Sequence, residues 1–147
     1  ESMFSLGDID MDALDEIVSI VDGDLFVKNI NGSIVNGFPI LGNFHGVPLI
    51  ANINSLSSNI GDNYPEIICK NGQSISIISH SGDLLYEIPL YNQNEDIAII
   101  PWTENATATD LAITNGNKLY IFENVYYQDL SYWLNKFHKN LRAVLLY

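Results

Sequence analysis

The residues best suited to chemistry lie near the start of the chain, in Gly7-Asp8-Ile9-Asp10-Met11-Asp12-Ala13-Leu14-Asp15-Glu16-Ile17. Asp8, Asp10 and Asp12 take positions 1, 3 and 5 of a loop. Carboxylates this close repel one another unless a cation sits among them. Alternate spacing in a curled loop turns all three inward, the Leu14 carbonyl at position 7 adds an oxygen, and Glu16 at position 9 closes the shell. Ca²⁺ takes about six to eight oxygens in irregular geometry and suits such a loop better than Mg²⁺, which demands a tighter octahedron. The competing reading of the same residues is a solvated acidic turn without metal. Asp15 is expected outside the ligand set.

The loop is not an EF-hand. Position 12 is Ser19, where an EF-hand needs a bidentate Glu, and the flanking runs read as strands and not helices. Position 6 is Ala13, where glycine usually permits the sharp turn. A positive φ at alanine costs on the order of 1 kcal/mol. Without a Glu clamp, affinity is expected in the weak extracellular range, roughly 10⁻⁴ to 10⁻³ M.

The elements that must position this loop are short strands arranged as a repeat. Turn dipeptides at Asp22-Gly23 and Asn31-Gly32 return at Asn71-Gly72 and Ser81-Gly82, and once more at Asn115-Gly116. Asp-Gly and Asn-Gly supply the positive φ of tight hairpin turns. Gly23 and Gly32 are 9 residues apart, Gly72 and Gly82 are 10 apart, and the first turn of each set recurs after 49 and then 44 residues. The runs between turns predict strands at 4–9, 16–21, 24–30 and 33–40; at 47–53, 66–70, 74–80 and 84–90; and at 97–102, 110–114 and 118–122. Ser74-Ile75-Ser76-Ile77 alternates, the mark of a half-buried strand. An apolar-Pro step, Phe38-Pro39 and Ile88-Pro89, closes the fourth run of the first two units.

Four short antiparallel strands per unit is the period of a β-propeller blade. The expected fold is therefore all-β, with about three four-stranded antiparallel blades at 3–42, 46–91 and 96–125 forming an incomplete propeller. Residues 126–147 change character: Leu130, Trp133, Leu134, Phe137 and Leu141 recur at helical spacing and predict a short helical or irregular cap.

The second copy of the acidic loop is weaker. Asn52 and Asn54 align with positions 1 and 3, an insert follows, and Asp62, Tyr64 and Glu66 resume at positions 5, 7 and 9. Amides replace two carboxylates, so this is a candidate for weak or lost metal binding. In the third copy only Asp110 keeps the position 9 acid.

Gly7-Asp8-Ile9-Asp10-Met11-Asp12 followed by Asp15-Glu16-Ile17-Val18 resembles the FG-GAP/VCBS-type propeller repeat, also seen in the calcium-binding blades of integrin α-subunit heads. Asn31-Gly32-Ser33 through Gly37-Phe38-Pro39 is similar to the later half of that repeat in bacterial secreted proteins. The resemblance covers about residues 4–122 and implies a propeller, Ca²⁺ in the loop between the first and second strands of a blade, and a secreted or cell-surface location. It departs at Met11 and Ala13, where the family has small residues or glycine. A propeller has at least four blades, so a three-bladed chain implies either the remainder of a longer chain or self-association to complete a ring.

Composition excludes several classes. The chain has 18 acids against 6 bases, a net charge of −12, and such a surface repels nucleic acid. Eight acids and no base fall within 1–24. The single cysteine, Cys69, lies in an apolar run and reads as a buried structural thiol. No apolar run reaches the ~18 residues of a membrane span, so membrane insertion is not expected. Glu1 opens directly onto fold-like sequence, with no signal peptide ahead of it, which reads as a processed or trimmed end. His45, His80 and His138 are scattered, and no nucleophile elbow, phosphate loop or zinc motif is present. The expectation is a non-enzymatic, extracellular, calcium-binding binding or scaffold module that contacts a protein or glycan. The alternatives are a non-catalytic accessory part of a secreted hydrolase or lyase, and a structural subunit of an extracellular assembly.

Overall fold

The structure of the chain, a computed structural model, describes residues 3–52, 64–90, 96–100, 110–115 and 118–122. These form ten strands: β1 (Phe4–Gly7), β2 (Glu16–Val21), β3 (Asp24–Lys28), β4 (Phe44–Ala51), β5 (Glu66–Asn71), β6 (Ser74–Ile78), β7 (Leu84–Pro89), β8 (Ile97–Ile100), β9 (Asp110–Asn115) and β10 (Lys118–Phe122). Three antiparallel sheets result, ordered β1-β2-β3, β4-β5-β6-β7 and β10-β9-β8. The fold is all-β among the described residues. The expected cap over 126–147 lies outside them.

The sheets repeat one plan. In each, the middle hairpin closes on a two-residue loop, with Val21 opposite Asp24, Asn71 opposite Ser74 and Asn115 opposite Lys118. The acids aligned by sequence open the equivalent strand of each sheet: Glu16 pairs with Gly7, Glu66 with Ala51 and Asp110 with Ile100. The second turns of the first two units also match bond for bond. The Asn29 and Ser79 N–H groups donate to the Ser33 and Asp83 carbonyls at 2.9 Å, and the Gly32 and Gly82 N–H groups donate to the Asn29 and Ser79 carbonyls.

The fourth strand of the first unit departs from expectation. Residues 33–40 touch β3 only at two isolated bridges, Lys28 with Ile34 and Leu25 with Ile40. Between them the Phe38 N–H closes a turn on the Val35 carbonyl, with Gly37 at φ 93°. That turn adds residues to one side of the ladder, so continuous pairing cannot run through it. The first sheet therefore has three strands, and among the described residues only the second has four.

β4 also differs, beginning at Phe44 and not at Val47. Its register shifts between His45 and Leu49, where Gly46 has φ 81° and Pro48 follows. A bulge is the place in a strand that tolerates proline, because no ladder N–H is needed there.

By internal contacts the chain forms two compact units, one holding β1–β7 and the other β8–β10. In the first, the face of β2 and β3 carrying Val18, Leu25 and Val27 joins Phe44, Ile67, Cys69 and Ile78 of the second sheet in one core, with Ile9 and Val35. Each fully buried branched side chain contributes about 1.5–3 kcal/mol. The Ser5 hydroxyl of β1 donates to the Pro48 carbonyl of β4. Cys69 is fully buried in this core, and burial pushes its thiol up to about 12.

β6 corrects a second expectation. It alternates serine and isoleucine as a half-buried strand would, yet every residue in it is buried. The serine face is covered too: Ser74 lies 8% exposed and Ser76 fully buried. The single Ser74 hydroxyl proton has two acceptors within reach, the Asn71 carbonyl at 2.8 Å and Glu87 Oε1 at 2.6 Å, so the donor is satisfied inside the fold.

The other face of β1–β3 stays open. Register puts Phe4, Leu6, Ile17, Val21 and Phe26 on it, and Phe4, Leu6 and Val21 are exposed. Lys28 holds its ammonium 5.2 Å over the Phe26 ring.

Candidate metal centre

The β1–β2 ladder ends at Gly7 opposite Glu16, so Asp8 to Asp15 form the connecting loop. The loop is anchored by Ile9, which is fully buried in the core. From that anchor the Ile9 N–H donates to Glu16 Oε2 at 2.8 Å. The exposed half of the loop is organised by Asp8, whose Oδ1 and Oδ2 accept the N–H groups of Asp12 and Ala13, each at 3.0 Å.

Three of the five sequence-selected residues converge. Carboxylate oxygens of Asp8, Asp10 and Glu16 all lie within 4.8 Å of one another and could hold a metal ion. Asp12 turns Oδ1 back on the Leu14 N–H at 2.8 Å and is not one of the three. Leu14 projects an exposed side chain. Asp15 is exposed.

The electrostatics of this cluster are unfavourable without a cation. Glu16 is only 1% exposed, and Asp10 Oδ1 is buried without a hydrogen-bond partner among the described residues. Burial pushes the Glu16 carboxyl above its ordinary value of 4.5, the backbone N–H groups of Ile9 and Asp10 pull against that, and the Asp10 and Asp12 charges add to the rise. A buried carboxylate oxygen with no donor is costly, and a ligand that accepts its charge removes the cost.

The sign of the resulting pH dependence is fixed by the raised value. Glu16 contributes stability that is complete below 4.5 and lost as pH climbs through its higher folded value. In chelator, wild type is therefore expected to lose stability relative to Glu16→Gln as pH rises from there toward neutrality. Thermal unfolding of both proteins across that range checks this, and parallel curves would contradict it.

The backbone of this loop carries strain at two places. Ala13 adopts φ 71°, as its position in the loop required, and Met11 adopts φ 62°. Sequence reading expected a positive φ at Ala13 and marked Met11 only as a departure from the small or glycine residue of the resembled family. Both side chains are exposed, so glycine at either position loses no buried contact. Ala13→Gly is expected to stabilise the chain by about 0.5–1 kcal/mol, the relief of the left-handed conformation less the extra freedom of glycine in the unfolded chain. Denaturant unfolding in chelator measures it, and a loss of stability would contradict the assignment.

The second-copy residues are only partly described. Glu66 is 2% exposed at the head of β5, and Asn52 Oδ1 is buried without a partner among the described residues. The Tyr64 ring stacks on His80 at 3.9 Å and 16°. Asn54 and Asp62 lie outside the described residues.

Comparison with protein families, curated proteins and solved structures gives no match.

Proposed function

We propose that this chain is a calcium-binding, propeller-type module that works outside the cell as a binding or scaffold element, and that Ca²⁺ sits among Asp8, Asp10 and Glu16. The observation that carries the reading is the convergence of three carboxylates within 4.8 Å around the buried, unpartnered Asp10 Oδ1. All the ligating atoms on offer are hard oxygens, which suit Ca²⁺ and not a thiolate- or imidazole-seeking metal. The ion ties the end of β1 to the start of β2 and neutralises a charge cluster that the fold has already drawn together. The Asp12 carboxylate, one loop turn away, and the Leu14 carbonyl remain the further oxygens that the sequence offers.

The propeller reading is supported by the threefold recurrence of one sheet plan and by the resemblance of the first unit to FG-GAP/VCBS-type repeats. The binding reading is supported by the open apolar face of the first sheet, where Phe4, Leu6 and Val21 are exposed together. Such a face suits a protein partner, and a ring such as Phe4 also suits a glycan.

Isothermal calorimetry with CaCl₂ and, separately, MgCl₂ on the chelator-stripped protein tests the ion. Ca²⁺ is expected to bind with a Kd of roughly 10⁻⁴ to 10⁻³ M and Mg²⁺ more weakly. Equal affinity for both ions, or heat from neither, would overturn the assignment.

A further inference from the structure

Three described Asn-Gly steps differ in a way that bears on their chemistry. At Asn31-Gly32, Asn31 Oδ1 accepts the Ser33 N–H at 2.9 Å and the Ser33 hydroxyl at 2.7 Å, while the Gly32 N–H donates to the Asn29 carbonyl at 2.8 Å. At Asn71-Gly72, Asn71 Oδ1 accepts the Asn43 N–H and the Gly72 N–H donates to the Asn43 carbonyl, both at 3.0 Å. At Asn36-Gly37, neither the Asn36 amide nor the Gly37 N–H has a hydrogen-bond partner among the described residues. Asn36 is also exposed.

We propose that Asn36 is a site of spontaneous backbone-assisted deamidation, and that the two other described Asn-Gly steps are protected by their hydrogen bonds. The Gly37 backbone nitrogen attacks Asn36 Cγ and forms a new N–C bond. The Cγ–N amide bond breaks, and ammonia leaves with the proton released from the Gly37 nitrogen. Water then adds to one of the two imide carbonyls, giving aspartate or isoaspartate, with no change in oxidation state. The attack needs a nucleophile that is not already donating and an amide carbon free to swing onto it, and among the three described steps only this one meets both conditions.

The turn permits the motion. It is closed by a single 3.2 Å bond from the Phe38 N–H to the Val35 carbonyl. Flipping the Asn36-Gly37 peptide plane exchanges the two common turn forms without moving either Cα, and glycine accepts φ of either sign. The product matters to the fold because Gly37 lies against Ser81 and Gly82 of the Ser79–Asp83 turn in the second unit. Isoaspartate lengthens the backbone at this contact, and either product adds a negative charge to a chain already at −12.

The test is incubation of the intact folded protein in mildly alkaline buffer at physiological temperature. Peptide mass mapping and enzymatic methylation of isoaspartate then follow each Asn-Gly peptide with time. Asn36 is expected to convert roughly tenfold faster than Asn31 or Asn71, the factor that one or two lost hydrogen bonds represent. The same protein in urea is expected to convert all three at similar rates, because the protection is a property of the fold. Conversion of Asn31 or Asn71 as fast as Asn36 in the folded protein, or no conversion at Asn36, would overturn the proposal.

Discussion

Gly37→Ala is expected to destabilise the chain by about 3 kcal/mol or more, the sum of a left-handed backbone forced on alanine and the overpacking of a closed contact. Gly37 has φ 93°, and a Cβ built there falls 1.9 Å from the Ser81 carbonyl oxygen and 2.7 Å from its carbon. The obstacle is backbone and cannot rotate away. The contact is reciprocal, because a Cβ at Gly82 falls 2.5 Å from the Gly37 carbonyl oxygen. Two turns, one from each of the first two units, are thus locked by glycine on glycine. Gly32→Ala is the natural control: φ is 87°, yet nothing lies within 4 Å of its Cβ position. It is expected to show only the backbone cost, about 1–2 kcal/mol. Urea unfolding of the two variants separates the terms, and equal losses would contradict a specific role for the contact between turns.

The features of the chain that read well from sequence are those fixed by local chemistry. Turn glycines and alternating apolar runs put nearly every described strand in place, because hairpin loops of two residues demand positive φ and the strand runs end at those loops. The acid that opens the middle strand, Glu16, Glu66 or Asp110, followed from the same alignment. What failed depended on partners distant in the chain. Residues 33–40 look like a strand, but the turn at Val35–Phe38 is shaped by its packing on Ser81, some 40 residues away. The serines of β6 signal exposure, and only the stacking of another sheet buries them. In the loop, residue type identified Asp8, Asp10 and Glu16 but not Asp12's turn onto the Leu14 N–H, since a short carboxylate can reach either an ion or its own backbone.

The second large effect concerns the carboxylate cluster and carries opposite signs in two buffers. In chelator, Asp10→Ala removes a charge whose Oδ1 is buried without a partner and whose field pushes the Glu16 carboxyl upward. The variant is therefore expected to unfold at a higher temperature than wild type. In Ca²⁺ the order reverses. Wild type gains RT ln(1 + [Ca²⁺]/Kd), about 2.7 kcal/mol at a free concentration near a hundred times Kd. For a chain of this size that is roughly 5–10 °C in Tm. The variant loses one of three converging ligands and with it most of the gain.

Thermal unfolding of wild type and Asp10→Ala, each at free Ca²⁺ near a hundred times Kd and in excess EGTA, tests the central claim most directly. The account predicts a Ca²⁺-dependent rise in Tm for wild type, its loss in the variant, and a variant more stable than wild type in EGTA. Identical melting of wild type in the two buffers would contradict a calcium site at Asp8, Asp10 and Glu16.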